Sequence, residues 1–178
     1  MHILAICGSL RAASSNKALL DAAARLAPDG VRVELFDGIG ALPHFNPDLD
    51  VDPPPPAVAL WRDALRNADA LLLSSPEYVH GVPGALKNAL DWIVSSGEVG
   101  AKPLAQIDTS RSNFATPQLR EVLTTMEARI VAEASITLHL WTNRVDVDAI
   151  LANEAAANAL RTAVATLVAS AREAAKSE

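Results

Sequence analysis

Two stretches combine residue types and spacing suited to chemistry. The first is Gly8-Ser9-Leu10-Arg11-Ala12-Ala13-Ser14-Ser15-Asn16, which runs directly into a helical pattern. A helix start offers unpaired N–H donors and the positive end of the peptide dipoles. Arg11 adds a charged fork, and Ser9, Ser14 and Ser15 add hydroxyls, so a phosphate dianion fits the set. Ser9, Arg11 and Ser14 are therefore the candidate phosphate ligands, with Ser15 and Asn16 beside them in the same loop. The alternative is a capping loop with a surface arginine, since serine and asparagine are common helix caps. The loop has no GxGxxG fingerprint and no Walker GxxxxGK[ST], which turns the reading from a dinucleotide in Rossmann mode, or a nucleoside triphosphate, towards a mononucleotide.

The second stretch is Pro76-Glu77-Tyr78-Val79-His80-Gly81-Val82-Pro83-Gly84, continuing as Ala85-Leu86-Lys87-Asn88-Ala89-Leu90-Asp91-Trp92. Tyr78 is the only tyrosine in the chain. An aromatic ring beside exposed backbone amides suits a flat heterocycle, held by stacking and by bonds to its polar edge. The competing account is a rigid strand-to-helix turn with Tyr78 packed sideways and His80 as a partly exposed turn residue. Cys7, at the end of the first strand, reads as a small buried thiol.

To bring two such loops together, the chain needs strands that end side by side. Short apolar runs alternate with helical spacing, the sequence form of repeated βα units around a mostly parallel sheet. Ile3 to Cys7, Val31 to Leu35, Ala70 to Ser74, Lys102 to Thr109 and Ile130 to Leu140 read as five strands. A helix running to Leu26, one starting at Asp52–Pro53, then Gly81 to Val94, Gln118 to Ala128 and Ala149 to Ala175 read as helices. Leu86, Ala89, Leu90 and Ile93 share one face of the third. Strands one and three are continuous apolar runs, as expected with helices on both faces, while strand five alternates apolar and polar like an edge. Right-handed crossovers then give a flavodoxin-like α/β three-layer sandwich with the five-stranded parallel sheet in order 2-1-3-4-5. Its switch point lies between strands one and three, where both loops emerge. Asp37 to Pro56 holds most of the prolines and no period, so it reads as a long surface loop.

Composition bounds what these loops serve. The chain has 178 residues, half of them apolar, and reads as one domain, residues 1–178. Fifteen Lys and Arg against 21 Asp and Glu give a net charge of −6, which speaks against nucleic acid or an anionic membrane as partner. A single cysteine allows no internal disulfide, and no Cys/His spacing of the metal-binding kind appears, so we expect a cytoplasmic protein without a metal site. The apolar run at the N-terminus is shorter than a signal-peptide core.

Taken together, GSLRAASSN and PEYVHGVPGALKNALDW resemble the NAD(P)H-dependent FMN reductase family, which includes quinone, azo-dye and chromate reductases. Leu42-Pro43-His44-Phe45-Asn46-Pro47-Asp48 and Lys102-Pro103 fit the same pattern in the same order. The resemblance implies FMN as cofactor, NADH or NADPH as co-substrate, and a small electron acceptor such as a quinone. It implies that Ser9, Arg11, Ser14 and Asn16 bind the FMN phosphate, and that Pro76, Glu77, Tyr78 and Gly81 border the isoalloxazine, with Val79 and His80 beside them. It places Lys87, Asn88, Asp91 and Trp92 on a helix used in packing and dimerisation, and so implies a homodimer or homotetramer, with Leu86, Leu90, Ile93 or their neighbours at the contact. The flavin carries the chemistry, so no catalytic triad is expected.

The chain departs from the family pattern at Val79, where asparagine is common, and after strand four. There Asp108-Thr109-Ser110-Arg111-Ser112-Asn113-Phe114-Ala115-Thr116 stands where a glycine pair is usual. Thr109 and Ser110, at that strand's carboxyl end, are the expected ring contacts. A non-enzymatic flavodoxin-like electron carrier, and a member with weakened flavin binding, are the alternative readings.

Overall fold

The computed structural model describes residues 1–109, 114–139 and 145–176. Its strands are β1 (His2–Cys7), β2 (Arg32–Phe36), β3 (Ala70–Ser74), β4 (Pro103–Asp108), β5 (Arg129–Ile130) and β6 (Ile136–Thr137). The helices are α1 (Ser15–Arg25), α2 (Pro56–Arg66), α3 (Gly84–Asp91), α4 (Ala115–Thr125), α5 (Val147–Ala152) and α6 (Glu154–Ala174). All strand pairs are parallel and run β2-β1-β3-β4-β5, with β6 also on β4, which is the expected order. β1 and β3 end level, Cys7 opposite Ser74, so their loops leave the sheet as neighbours.

The pleat sends alternate residues to opposite faces. Ile3, Ala5, Leu72 and Ile107 face α1, α5 and α6, whose Ala22, Leu160 and Val164 close one core. Leu4, Ile6, Leu71 and Leu73 face α2, α3 and α4, with Trp61, Leu86, Leu90 and Leu119 in the other. Strands covered on both faces need no polar alternation, which is why β1 and β3 read as continuous apolar runs.

Four expected boundaries are corrected. The fifth strand is not continuous from Ile130 to Leu140: a 3-10 turn at Ala132–Ala134 divides it. Leu104 pairs with Ile130 but Ile107 with Ile136, so the turn takes up chain that a straight strand would have to pair. Ser135 bridges the gap, its hydroxyl accepting from the Gln106 N–H (3.1 Å) and donating to the Val131 carbonyl (2.9 Å). The last helix is two, because Asn153 leaves helical geometry to cap α6, its side chain accepting from the Ala156 N–H. The third helix starts at Gly84, after Pro83, because the residues from Tyr78 to Gly81 are spent in a tight turn. Similarly, α2 starts at Pro56, with proline in its first turn, not at Asp52–Pro53.

The long loop before α2 is fastened to the sheet layer by polar bonds. Asn88 accepts from the Phe45 N–H (2.7 Å) and donates to the Pro43 carbonyl (2.9 Å). Arg62, buried on α2, donates to Asp50 (2.7 Å) and to the Trp92 carbonyl (2.6 Å). The Ser95 hydroxyl and the Arg62 guanidinium hold the Asp50 carboxyl below its ordinary value of 3.8. A depressed carboxyl stabilises the fold above its ordinary pKa and loses that contribution as pH falls through the depressed value. Asp50→Asn should therefore cost about 1.5–3 kcal/mol at neutral pH, because it removes the counter-charge of a buried guanidinium and leaves it the Trp92 carbonyl. Urea midpoints of wild type and variant should converge as the pH is taken below 3.8. Among the described residues no helix is long and apolar enough to cross a membrane.

Candidate functional site

Gly8 brings the two loops together. Its N–H donates to the Ser74 carbonyl (2.8 Å), carrying the ladder one residue past β1. A Cβ there would lie 2.6 Å from the Ser75 hydroxyl and 3.0 Å from Leu86 Cδ2, so any larger residue requires both side chains to give way.

The loop Gly8–Asn16 divides its polar groups between construction and exposure. Ser14 is the N-cap of α1, its hydroxyl accepting from the Lys17 N–H (3.4 Å) and its carbonyl from the Ala18 N–H (2.9 Å). Asn16, buried, accepts from the Ser74 hydroxyl (2.9 Å), and Ser15 accepts from the Val145 N–H (3.3 Å). These three side chains build the loop. Ser9 and Arg11 remain at the surface: the Ser9 hydroxyl accepts from the Arg11 N–H (3.3 Å), and the exposed Arg11 guanidinium has no ion pair among the described residues. With Ser14 occupied by Lys17 and Ala18, the N–H groups of Ser15 and Asn16 are the donors the helix start leaves for a ligand. Beside them, Ala12, Ala13, Ser14 and Lys17 line a cleft of about 410 Å³.

The second loop meets the first at Tyr78, whose hydroxyl is 3.4 Å from that of Ser9. Tyr78 and Gly81 exchange backbone hydrogen bonds (3.1 and 2.9 Å) around a two-residue turn. Both central residues are left-handed, Val79 at φ 49° and His80 at φ 57°. That geometry is costly for a β-branched residue, and the Val79 side chain is fully exposed, so no packing offsets it. Val79→Asn should raise stability by about 1 kcal/mol, read as a higher urea midpoint, since asparagine tolerates this region. The turn is held outward, leaving Tyr78 47% exposed at the mouth of the site.

The Glu77 carboxylate accepts the N–H groups of Ala115 (2.9 Å) and Phe114 (3.2 Å) at the start of α4. The His80 ring stacks on Phe114, centroids 4.1 Å apart and planes 16° from parallel. Pro76 and Gly81 are half-buried in the loop's stem, and Thr109 is half-buried at the end of β4. Ser110 lies outside the described residues.

Asp108, beneath this mouth, is a residue that pattern reading did not single out. It is 5% exposed and accepts from Gln106 Nε2 (3.0 Å) and the Thr116 hydroxyl (3.1 Å). Burial pushes its pKa up, against the lowering effect of Gln106, Thr116 and the Ser75 N–H. Its signal in the sequence is a lone carboxylate ending an apolar strand. Burial likewise raises the Cys7 thiol, in keeping with an unreactive core cysteine.

The apolar residues expected at a subunit contact lie in the core instead. Leu86, Leu90 and Ile93 are at most 2% exposed inside the core, and Asn88 and Trp92 are spent on the long loop. Lys87, Asp91 and Val94 are what this part of the chain shows outside, along a groove of about 490 Å³ against α4.

The arrangement matches known proteins along its length. The family model described as NADPH-dependent FMN reductase matches residues 1–143. An NAD(P)H-dependent FMN reductase of Pseudomonas aeruginosa is 35% identical over 162 residues, covering 88% of this chain and 87% of that protein. An NAD(P)H:quinone oxidoreductase of Solanum tuberosum is 31% identical, covering 94% and 91%. Among solved structures, a flavoenzyme NAD(P)H:(acceptor) oxidoreductase from Paracoccus denitrificans superposes with a TM-score of 0.84 at 28% identity, covering 97% of both chains. Sequence order, sheet order and the paired loops at the switch point agree, and the chain belongs to the NADPH-dependent FMN reductase family.

Proposed function

We infer that this protein is an FMN-dependent oxidoreductase that passes electrons from NADH or NADPH to a small acceptor such as a quinone. The observation that carries the reading is the junction of an anion-ready helix start with an exposed tyrosine, through the 3.4 Å approach of Ser9 and Tyr78 at the level ends of β1 and β3. When bound, FMN would supply the hydride-accepting redox chemistry that the side chains of this protein lack.

The residues present fit that cofactor. Ser9, Arg11 and the first-turn N–H groups of α1 hold the phosphate, while Ser14, Ser15 and Asn16 fix the loop that presents them. The Tyr78 ring and the backbone of the Tyr78–Gly81 turn border the isoalloxazine, with Thr109 at its edge. The exposed Val79 and His80 leave the outer side open for nicotinamide and acceptor to stack in turn. We take residues 1–178 as one FMN-binding domain, and the protein as a homodimer or homotetramer that works in the cytoplasm, where a lone buried thiol stays reduced.

Anaerobic mixing of the FMN-loaded protein with NADH or NADPH tests the reading. The visible flavin bands should bleach and return on adding a quinone, with ping-pong kinetics in steady state. Bound flavin that neither nicotinamide bleaches would make the protein an electron carrier instead. Sedimentation of the loaded protein at micromolar concentration tests the assembly, and a monomer there would overturn it.

A further inference from the structure

The two loops at the mouth are anchored differently. Gly8–Asn16 is tied to the sheet and to α1 through Gly8, Ser14 and Asn16. The Tyr78–Gly81 turn is tied to the start of α4. That helix has no side-chain cap from its own N-cap residue, Phe114, and no acid in its first turn. Glu77 supplies both from the loop after β3, accepting the Ala115 and Phe114 N–H groups on one oxygen. A carboxylate at a helix start is favoured by the dipole as well as by the two bonds. Gln118 Nε2 donates to the His80 carbonyl (3.4 Å), the His80–Phe114 stack closes the far side, and Asp108 holds Thr116 in the same helical turn.

We propose that Glu77 is a positioning residue for the flavin ring: by capping α4 from the β3 loop it seats the Tyr78–Gly81 turn on that helix, and so sets where the turn's backbone meets the ring edge. The proposal rests on the flavin-binding reading given above. Because Gly8, Ser14 and Asn16 anchor the phosphate loop separately, loss of the cap changes how the ring is held while those anchors stay in place.

The test compares Glu77→Ala and Glu77→Gln with wild type, using FMN and riboflavin titrations followed by flavin fluorescence, and visible spectra at saturating FMN. Glu77→Ala should weaken FMN and riboflavin by the same factor, about tenfold to a hundredfold, and shift the visible bands of bound FMN. Glu77→Gln keeps an oxygen to accept both N–H groups and should stay within about threefold of wild type, with unshifted bands. Wild-type FMN affinity in Glu77→Ala overturns the proposal. So does a loss confined to FMN, or a Glu77→Gln variant as weak as the alanine. Wild type that binds neither flavin defeats the underlying reading, and is seen before any variant is made. If Glu77→Ala does not fold, Gln118→Ala removes the bond to the His80 carbonyl; parallel losses of about threefold for both flavins support the proposal, and unchanged binding overturns it.

Discussion

Replacing Arg11 and Ser9 together by alanine should lower FMN affinity by about a hundredfold to ten-thousandfold while leaving riboflavin binding unchanged. Each side chain can give a charge-assisted bond to a phosphate dianion, and such bonds are worth about 1.5–3 kcal/mol. Two of them reach about 3–6 kcal/mol, where every 1.4 kcal/mol is roughly tenfold. The pair is chosen on structural grounds. Ser14→Ala would remove the cap of α1, and Asn16→Ala would leave the buried Ser74 hydroxyl without its acceptor, so both would lose stability along with affinity. Arg11 and Ser9 carry no such duty beyond the Arg11 N–H bond to Ser9 and the long, exposed 3.4 Å contact of the Ser9 and Tyr78 hydroxyls, and the apo-protein's melting temperature should hold. Isothermal titration with FMN and riboflavin reads the result. Equal losses for both flavins would place the phosphate elsewhere.

Trp92→Ala should cost about 3–5 kcal/mol of stability, at every protein concentration. The side chain is completely buried, its indole N–H donates to the Pro43 carbonyl (2.7 Å), and its ring meets Phe45 edge-on at 5.2 Å. Truncation opens a cavity in the core that α3 shares with α2, and leaves the segment around Pro43 and Phe45 held by Asn88 alone of these two side chains. Trp92→Phe keeps most of the packing but removes one of the two donors to the Pro43 carbonyl, which keeps Asn88, and should cost about 0.5–1.5 kcal/mol. Urea denaturation over a hundredfold range of protein concentration separates this role from one at a subunit contact, where the effect of the substitution would change with concentration.

Much of this architecture was legible in the chain itself. Apolar runs of strand length separated by helical spacing are local signals, and they gave the sheet order and the switch point before any contact was known. The types present in Gly8–Asn16 and Pro76–Gly81 likewise marked both loops, because a helix start rich in hydroxyls with one arginine has few uses. What the chain did not carry was the division of labour inside those loops. Ser9 and Ser14 are the same residue type five positions apart, yet one faces the mouth and the other caps α1, since only the path of the backbone decides which hydroxyl reaches the Lys17 N–H. Glu77 reads as a ring neighbour by position, but its partners lie 37 and 38 residues away on α4. Leu86, Leu90 and Ile93 form a stripe that periodicity alone assigns equally well to a core or to a subunit contact, and the packing of α3 on the sheet assigns it to the core. The break at Ala132–Ala134 has the same origin. An alternating pattern fits a straight edge strand, but the Ser135 hydroxyl takes over the bonds to Gln106 and Val131 that a ladder would make. Periodicity is set by neighbours along the chain and survives in the sequence, whereas the partner of a hydroxyl, carboxylate or apolar stripe is set by what the fold brings beside it.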